Sequence, residues 1–405
     1  MPGIRHLAAV VQVVAGLALN AFPAIFLAVY ARIAPIENQG FLALSLAVGV
    51  YVAQLFNAFI VEGLLATPDV DHRITLPGWT ALLSVIAAGL LIIGPAVAHP
   101  AVLMVSSIGL MSGLLITRSI GMVRGEWQRE AIAAVVLIIT GAGALILAVQ
   151  HSNHCVRVLA AGALVATLVR YRPRSGGLFS GLPPDIRRAS WVTAETAVVG
   201  AVQPAITSIV LVTMGPAASV GFRVISTVAN ALEPIIAYGR FRLLAHANKG
   251  EVVVVGAIFI AGLAGVLAGA FGGLGSLIFG PAWANVGAVA LLLACLWKGL
   301  MLLSTVPFAA LRRGGETTIV FWVRAVSTVA YLALGIGFLV GWHSTTAIFL
   351  AFVVAEVFTA ILYHFVAVRK APDYELNVGE VARVRQAAAD RRAATPATEA
   401  DDAQN

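Results

Sequence analysis

The chain has 405 residues, of which 60% are hydrophobic and 11% charged, with a mean hydropathy of +0.94. A soluble domain carries about 25% charged residues, so a soluble enzyme, a secreted fold and a nucleic-acid-binding protein are excluded as the main reading. The net charge of +7 reports topology rather than an acidic partner.

The apolar residues fall into runs of about 20, enough to cross about 30 Å of hydrocarbon as helix, the one open-ended backbone that satisfies itself in lipid. The first run, Leu7 to Tyr30, follows a single positive charge at Arg5. It exceeds the about 7–15 apolar residues of a cleavable signal and reads as a membrane helix. Twelve spans follow in chain order: 7–31, 41–66, 77–97, 100–118, 130–149, 155–170, 190–213, 217–239, 252–278, 283–309, 317–340 and 344–368. The expected fold class is an all-α membrane protein with twelve transmembrane helices.

Charge sets the orientation. With the N-terminus inside, Arg5, Arg73, Arg118, Arg124, Arg129, Arg170, Arg172, Arg174, Arg187, Arg188, Arg240, Arg242, Lys249, Arg312, Arg313, Arg369 and Lys370 all lie inside, against Arg32 and Arg157 outside. This positive-inside bias puts both termini in the cytoplasm. The preference for arginine, alanine and glycine suggests a bacterial, GC-rich source, hence the cytoplasmic membrane.

The Gly/Pro/Arg-rich stretch 171–189 reads as a cytoplasmic linker between two six-helix bundles, 1–170 and 190–370. The tail 371–405 mixes seven acids with four arginines and is expected to be partly disordered. The bundles echo each other at an offset of 181 residues. Pro23-Ala24-Ile25 meets Pro204-Ala205-Ile206, and Val29, Pro35, Gly40-Phe41 and Ser45 meet Val210, Pro216, Gly221-Phe222 and Ser226. A second echo joins Arg124-Gly125-Glu126 to Gly314-Gly315-Glu316. Six helices per unit make the repeat parallel, around a central cleft that can rock between two openings. Pro23 and Pro204 lie inside the first helix of each unit, where each removes a backbone donor, and are hinge candidates.

Ionisable and amide groups inside the membrane need a reason. Helix eight carries Arg223, Thr227 and Asn230 on one stripe, and helix seven carries Glu195, Thr196 and Gln203. Helix two offers Gln54 and Asn57, and helix one Asn20. These point to a wet cavity lined by helices one, two, seven and eight. Arg223 is the leading substrate contact, because a guanidinium grips phosphate or carboxylate through paired hydrogen bonds. The alternatives for Arg223 are a structural pair with Glu195 or snorkelling toward the outer surface. Lys298, Arg324 and Glu356 extend the cavity or pair among themselves. Glu62 and Glu233 lie near the inner ends of helices two and eight, within reach of Arg240 and Arg242 or of water. His151, His154 and Cys155 share an outer loop without further ligands, so no metal site is assigned. The two cysteines, Cys155 and Cys295, form no framework, and no Walker or HExxH motif occurs; no cofactor is expected.

This layout resembles the multidrug/oligosaccharidyl-lipid/polysaccharide (MOP) exporter superfamily, MATE-like in fold, and within it the Wzx-type polysaccharide flippases. The resemblance is carried by Arg32-Ile33-Ala34 through Gly40-Phe41-Leu42-Ala43-Leu44, by Met214-Gly215-Pro216-Ala217-Ala218, by Phe279-Gly280-Pro281-Ala282-Trp283 and by Leu311-Arg312-Arg313-Gly314-Gly315. It implies translocation of a polyprenyl-diphosphate-linked glycan, with Arg223 meeting diphosphate and Gln54, Asn57 and Asn230 meeting sugar hydroxyls. Glycosyltransferase or polymerase partners could dock on the basic inner loops. The drug-exporting branch is the nearest rival; none of the seven aspartates falls in a proposed span, which leaves Glu195 as its coupling carboxylate. The rival of another class is a membrane glycosyltransferase or glycan polymerase, for which no large outer loop is present.

Overall fold

The computed structural model describes residues 2–62, 78–95, 97, 99–171, 186–236, 249–313 and 316–371. The described residues form helices and connecting loops, with no strand among them. The first six helices are α1 Pro2–Tyr30, α2 Ile36–Asn57 prolonged by a π-helical stretch Ala58–Glu62, α3 Gly78–Ile93, α4 Pro100–Val123, α5 Trp127–Val149 and α6 Cys155–Arg170. Then follow α7a Ile186–Gly200, α7b Val202–Met214 and α8 Pro216–Asn230. Helix α9 runs from Lys249 to Gly269, passes through a π-helical stretch Ala270–Leu274 and ends as Gly275–Phe279. A 3-10 turn Gly280–Asn285 leads to α10 Ala288–Arg313, α11 Thr317–Trp342 and α12 Thr345–Lys370.

Among the described residues eight helices are long and apolar enough to cross a membrane, and Val14–Tyr30 and Trp79–Ile93 are shorter apolar helices. The outer surface agrees: Ile139, Val212 and Leu277 are 64%, 82% and 70% exposed. Such a density of exposed aliphatic side chains belongs in hydrocarbon rather than in water. The linker residues 172–185, the tail 372–405, Gly314-Gly315 and the inner-loop residues Arg73, Arg172, Arg174, Arg240 and Arg242 lie outside the described residues.

Local chemistry accounts for the breaks. Pro204 has no N–H to give to Gly200, four residues earlier, and α7 is interrupted there, at Ala201. Pro23 is accommodated inside α1, which continues to Tyr30 as one helix. The two prolines at equivalent sequence positions thus sit in unequal helices. Gly215, at φ 86°, turns the chain into α8, where Pro216 takes the first position that needs no donor. Gly280, at φ 53°, does the same between α9 and the turn before α10.

One hydrophobic cluster joins α1 to α6 and takes in Val220, Val224, Phe279 and Ala282 from later helices. A second joins α7 to α12 around Phe222, Phe349, Phe352 and Trp297, with Phe222 stacked on Phe349 at 5.2 Å. Where α2 meets α8 the approach is close: a Cβ on Gly40 would come within 2.7 Å of Pro216 Cβ. The loops before α5 and α11 share a geometry. Glu126 caps α5 at φ −80°, ψ 53°, and Glu316 caps α11 at φ −78°, ψ 51°. Each donates its N–H to a carbonyl five residues back, Gly121 O and Leu311 O.

Two arginines read from sequence as loop charges are drawn inward. Arg170 and Glu130 are buried, with Arg170 Nε 3.0 Å from Glu130 Oε1, and Arg118 Nε lies 3.9 Å from the other carboxylate oxygen. Arg118 Nη2 also donates to Gln12 O of α1 at 3.2 Å, so this cluster ties four helices together.

Candidate functional site

A cavity of about 350 Å³ lies between α1, α2 and α4 on one side and α7, α8 and α10 on the other. Asn20 and Pro23 come from α1, Tyr51 and Gln54 from α2, Gln203 from α7b and Arg223, Thr227 and Asn230 from α8. Glu233, just beyond α8, and Trp297 and Lys298 of α10 complete the polar wall, while Leu19, Val50, Met111 and Leu115 supply apolar surface. The polar groups converge because each stripe, placed three or four residues apart, turns away from lipid.

Arg223 is 7% exposed. Among the described residues its guanidinium has one side-chain partner: Nη1 donates to Gln203 Oε1 at 3.4 Å, and Nε has none. No carboxylate pairs with it there. A buried guanidinium with spare donors has the chemistry to bind an anion, because its charge lacks a carboxylate partner among the described residues.

Of the residues singled out from sequence, Asn20, Gln54, Gln203, Arg223 and Asn230 line this cavity together with Pro23. Glu195 does not pair with Arg223: it accepts from Arg324 Nη1 at 2.7 Å, joining α7a to α11. Asn57 does not line the cavity either; its Nδ2 donates to Glu62 Oε1 at 3.0 Å, at the π-helical end of α2. Pro204 is one residue beyond the lining residue Gln203. Glu233, expected near the inner surface, pairs with Lys298 Nζ at 2.7 Å inside the cavity. Lys298 also lies 4.4 Å above the Trp297 ring.

Pattern reading from sequence leaves unassembled a second cavity of about 330 Å³ among α7, α10, α11 and α12. It shares Val199, Gln203, Glu233 and Trp297 with the first, so the two adjoin. Its floor is a hydrogen-bonded chain: Trp297 Nε1 donates to Tyr331 Oη at 2.7 Å, Tyr331 donates to Glu356, and Ser304 Oγ donates to the other Glu356 oxygen at 2.7 Å. Arg324 lines the same cavity, 4.8 Å over the Phe308 ring. Three of these groups are aromatic or hydroxyl residues scattered over α10 and α11, which sequence shows as ordinary membrane-helix content. Among the described residues no group of three or more His, Cys, Asp or Glu side chains could hold a metal ion.

Solved structures share the fold. An outward-facing multidrug resistance MATE family transporter of the MOP superfamily aligns over 90% of this chain and 94% of its own, at 12% identity, with a TM-score of 0.56. The chain has a MATE-like fold. It is a multi-pass membrane protein, all-helical in its described residues. A MOP superfamily transporter from Pyrococcus furiosus Vc1 (DSM3638), whose binding pocket is described as of reverse polarity, aligns over 90% and 93% at 14% identity and a TM-score of 0.49. The MATE multidrug transporter DinF-BH aligns over 91% and 96% at 14% identity and a TM-score of 0.46. No protein-family model and no curated protein sequence matches the chain. In the MATE-like fold of this chain, the cavity between α1, α2, α4 and α7, α8, α10 holds a buried arginine and four amides.

Proposed function

We propose that this chain is an alternating-access exporter that flips a lipid-linked oligosaccharide or polysaccharide precursor across the cytoplasmic membrane of a bacterium. The observation that carries this reading is Arg223, buried at the central cavity with spare donors and no carboxylate partner among the described residues. A diphosphate supplies the missing charge, and Asn20, Gln54, Gln203 and Asn230 supply amides that match sugar hydroxyls. The protein performs no chemistry on the substrate; it binds, closes and reopens.

Alternating access rests on a twelve-span, two-bundle layout with parallel six-helix repeats and both termini in the cytoplasm. Two features support it. The helices lining the cavity, α1, α2, α4 and α7, α8, α10, correspond under a shift of six. The caps at Glu126 and Glu316 share one backbone geometry. Glycosyltransferases or a polymerase would dock on the basic inner loops to hand over or receive substrate.

The test is depletion of the protein, followed by lipid extraction, mass spectrometry of polyprenyl-diphosphate glycans and a sidedness assay in spheroplasts. A finished glycan-lipid trapped on the cytoplasmic face, rescued by the wild type and not by Arg223→Gln, is the expected result. Unchanged pools and sidedness overturn it and favour the second reading, an ion-coupled drug or metabolite exporter. That reading draws on Glu233 and Glu356, two carboxylates that line the adjoining cavities. A pool stalled at an incomplete glycan would point to a glycosyltransferase or polymerase instead.

A further inference from the structure

Beside the central cavity lies a larger chamber, of about 510 Å³, walled by α1, α8 and α9 with Leu145 of α5. Its polar lining residues are Asn20, Thr227 and Asn230, and all three also line the central cavity. The rest of the wall is apolar or glycine. Polarity therefore changes across one shared boundary: amides and the Arg223 guanidinium on one side, hydrocarbon on the other. Arg223 lines the central cavity alone, one helical turn from Thr227 on α8; it is more than nine-tenths buried and keeps an unpartnered Nε.

Helix α9 is built to leave this space open. Gly265, Gly269 and Gly275 line the chamber; a Cβ placed on Gly265 would meet nothing within 4 Å, whereas one on Gly275 would come within 2.4 Å of the Trp283 ring, which packs there. The helix loosens into the π-helical stretch Ala270–Leu274, where Gly273 stands at φ 100°. The rim residues Leu17, Leu274 and Ile278 are 41%, 52% and 36% exposed, on the surface that meets lipid. Toward the α1–α2 loop Arg32 ties α1 to the last turn of α9, donating to Leu277 O and Ile278 O at 2.7 and 2.8 Å. The exposed apolar rim of α1 and α9 gives the chamber a side that faces the bilayer.

We infer that the chamber seats the hydrocarbon chain of an anionic amphiphile whose phosphate headgroup is held at Arg223. The inference rests on the lipid-borne substrate proposed above and adds where the chain lies and how it enters, sideways between α1 and α9. Apart from Asn20, Thr227 and Asn230 at the shared boundary the wall is apolar or glycine, so hydrocarbon is its fitting content. Continuity with a cationic polar cavity selects a chain with an anionic head over an ordinary zwitterionic lipid.

The test uses the full chain in phosphatidylcholine nanodiscs with hexadecyl phosphate bearing a diazirine at the chain end. Irradiation and peptide mapping are expected to place the label on residues 17–25 and 265–279. Gly265→Leu should cut that labelling about tenfold, what losing about two buried methylenes costs. Leucine raises helix propensity there, so the variant keeps its fold. Gly256→Leu is the control: it lies on the same helix, with open space around its Cβ and outside the chamber, and should label as the wild type does. Arg223-dependent labelling spread over other helices overturns the chamber while leaving the proposed function standing. Equal labelling by the hexadecyl phosphocholine analogue, unaffected by Arg223→Gln, makes the chamber a seat for bilayer lipid and overturns the inference. Absence of any Arg223-dependent labelling removes the substrate reading on which it rests.

Discussion

Glu130 and Arg170 meet as a buried pair, Oε1 to Nε 3.0 Å, with Arg118 3.9 Å from the same carboxylate. Two guanidinium groups, one buried and one partly exposed, therefore share one buried carboxylate, and the carboxylate is what makes the pair of cations tolerable. Glu130→Gln removes that shared negative charge and leaves Arg170 and Arg118 facing each other. Removing one partner of a buried pair costs about 3–5 kcal/mol, so this variant is expected to lose most of its folded yield. Thermal unfolding in detergent or nanodiscs checks it. The double variant Glu130→Gln/Arg170→Gln, which removes a buried cation as well, should recover part of the loss.

The pair between Glu195 and Arg324 behaves differently. Its side chains are 25% and 28% exposed, so water screens the 2.7 Å contact. Exposed pairs contribute about 0–1 kcal/mol, and Glu195→Gln is expected to lower the unfolding midpoint by no more than a few degrees. Because the pair ties α7a to α11 beside the second cavity, its loss should show in transport rate more than in stability. A charge swap, Glu195→Arg with Arg324→Glu, should restore the rate if the pair acts as a tie. Measuring initial transport rates of the single and swapped variants in proteoliposomes decides this.

Much of this arrangement is legible in the sequence, and the gaps have physical causes. Apolar runs locate the helices, since lipid forces the backbone to satisfy itself. The stripe Arg223, Thr227, Asn230 points to a cavity because polar groups on a membrane helix turn inward. Asn57 does not join it because α2 leaves α-helical geometry at Ala58, and the π-helical stretch turns Asn57 toward Glu62. The partner of Glu195 is not legible: α7 and α11 are 129 residues apart at that contact, and no spacing rule connects them. Glu130 escapes notice because counting charges at helix ends treats every end as solvated. The chamber beside α9 has no polar marker of its own; its signal is the glycines at 265, 269 and 275, which read as composition until the fold shows what they line.

Pro204 interrupts α7 where Pro23 leaves α1 whole, and this asymmetry makes a prediction about motion. Pro204→Ala restores the donor to Gly200 and should join α7a to α7b. A proline in a helix interior costs about 3 kcal/mol; at the third residue of α7b the gain is smaller, about 1 kcal/mol. If the break serves as a hinge, the variant becomes more stable and transports several-fold more slowly. Pro23→Ala, acting on a helix that is already continuous, should stabilise without a matching loss of rate. Paired measurements of unfolding midpoint and transport rate on the two variants separate a hinge from a tolerated proline.

Arg32 makes the contact that closes the end of the bundle nearest the α1–α2 loop. Its Nη1 donates to Ala28 O and Ile278 O, at 2.6 and 2.8 Å, and its Nη2 to Leu277 O at 2.7 Å. The carbonyls belong to the last turns of α1 and α9, where the helix dipole gathers negative charge, so a cation there is doubly favoured. Burial draws the Arg32 pKa below the ordinary arginine value, and the guanidinium is the side chain best able to stay charged under that pressure. Gly280 is part of the same fit: a Cβ on it would stand 2.9 Å from the guanidinium carbon. Hydrogen bonds to charged groups contribute about 1.5–3 kcal/mol, so Arg32→Ala should speed amide exchange over residues 275–285 by about tenfold or more. Arg32→Lys keeps the charge but not the fork, and should fall between the two. Hydrogen exchange read by mass spectrometry on that segment checks it. A segment that exchanges at the wild-type rate in both variants would mean that α9 is held to α1 by packing of Phe279 and Ala282 into the first hydrophobic cluster, with Arg32 contributing nothing to closure.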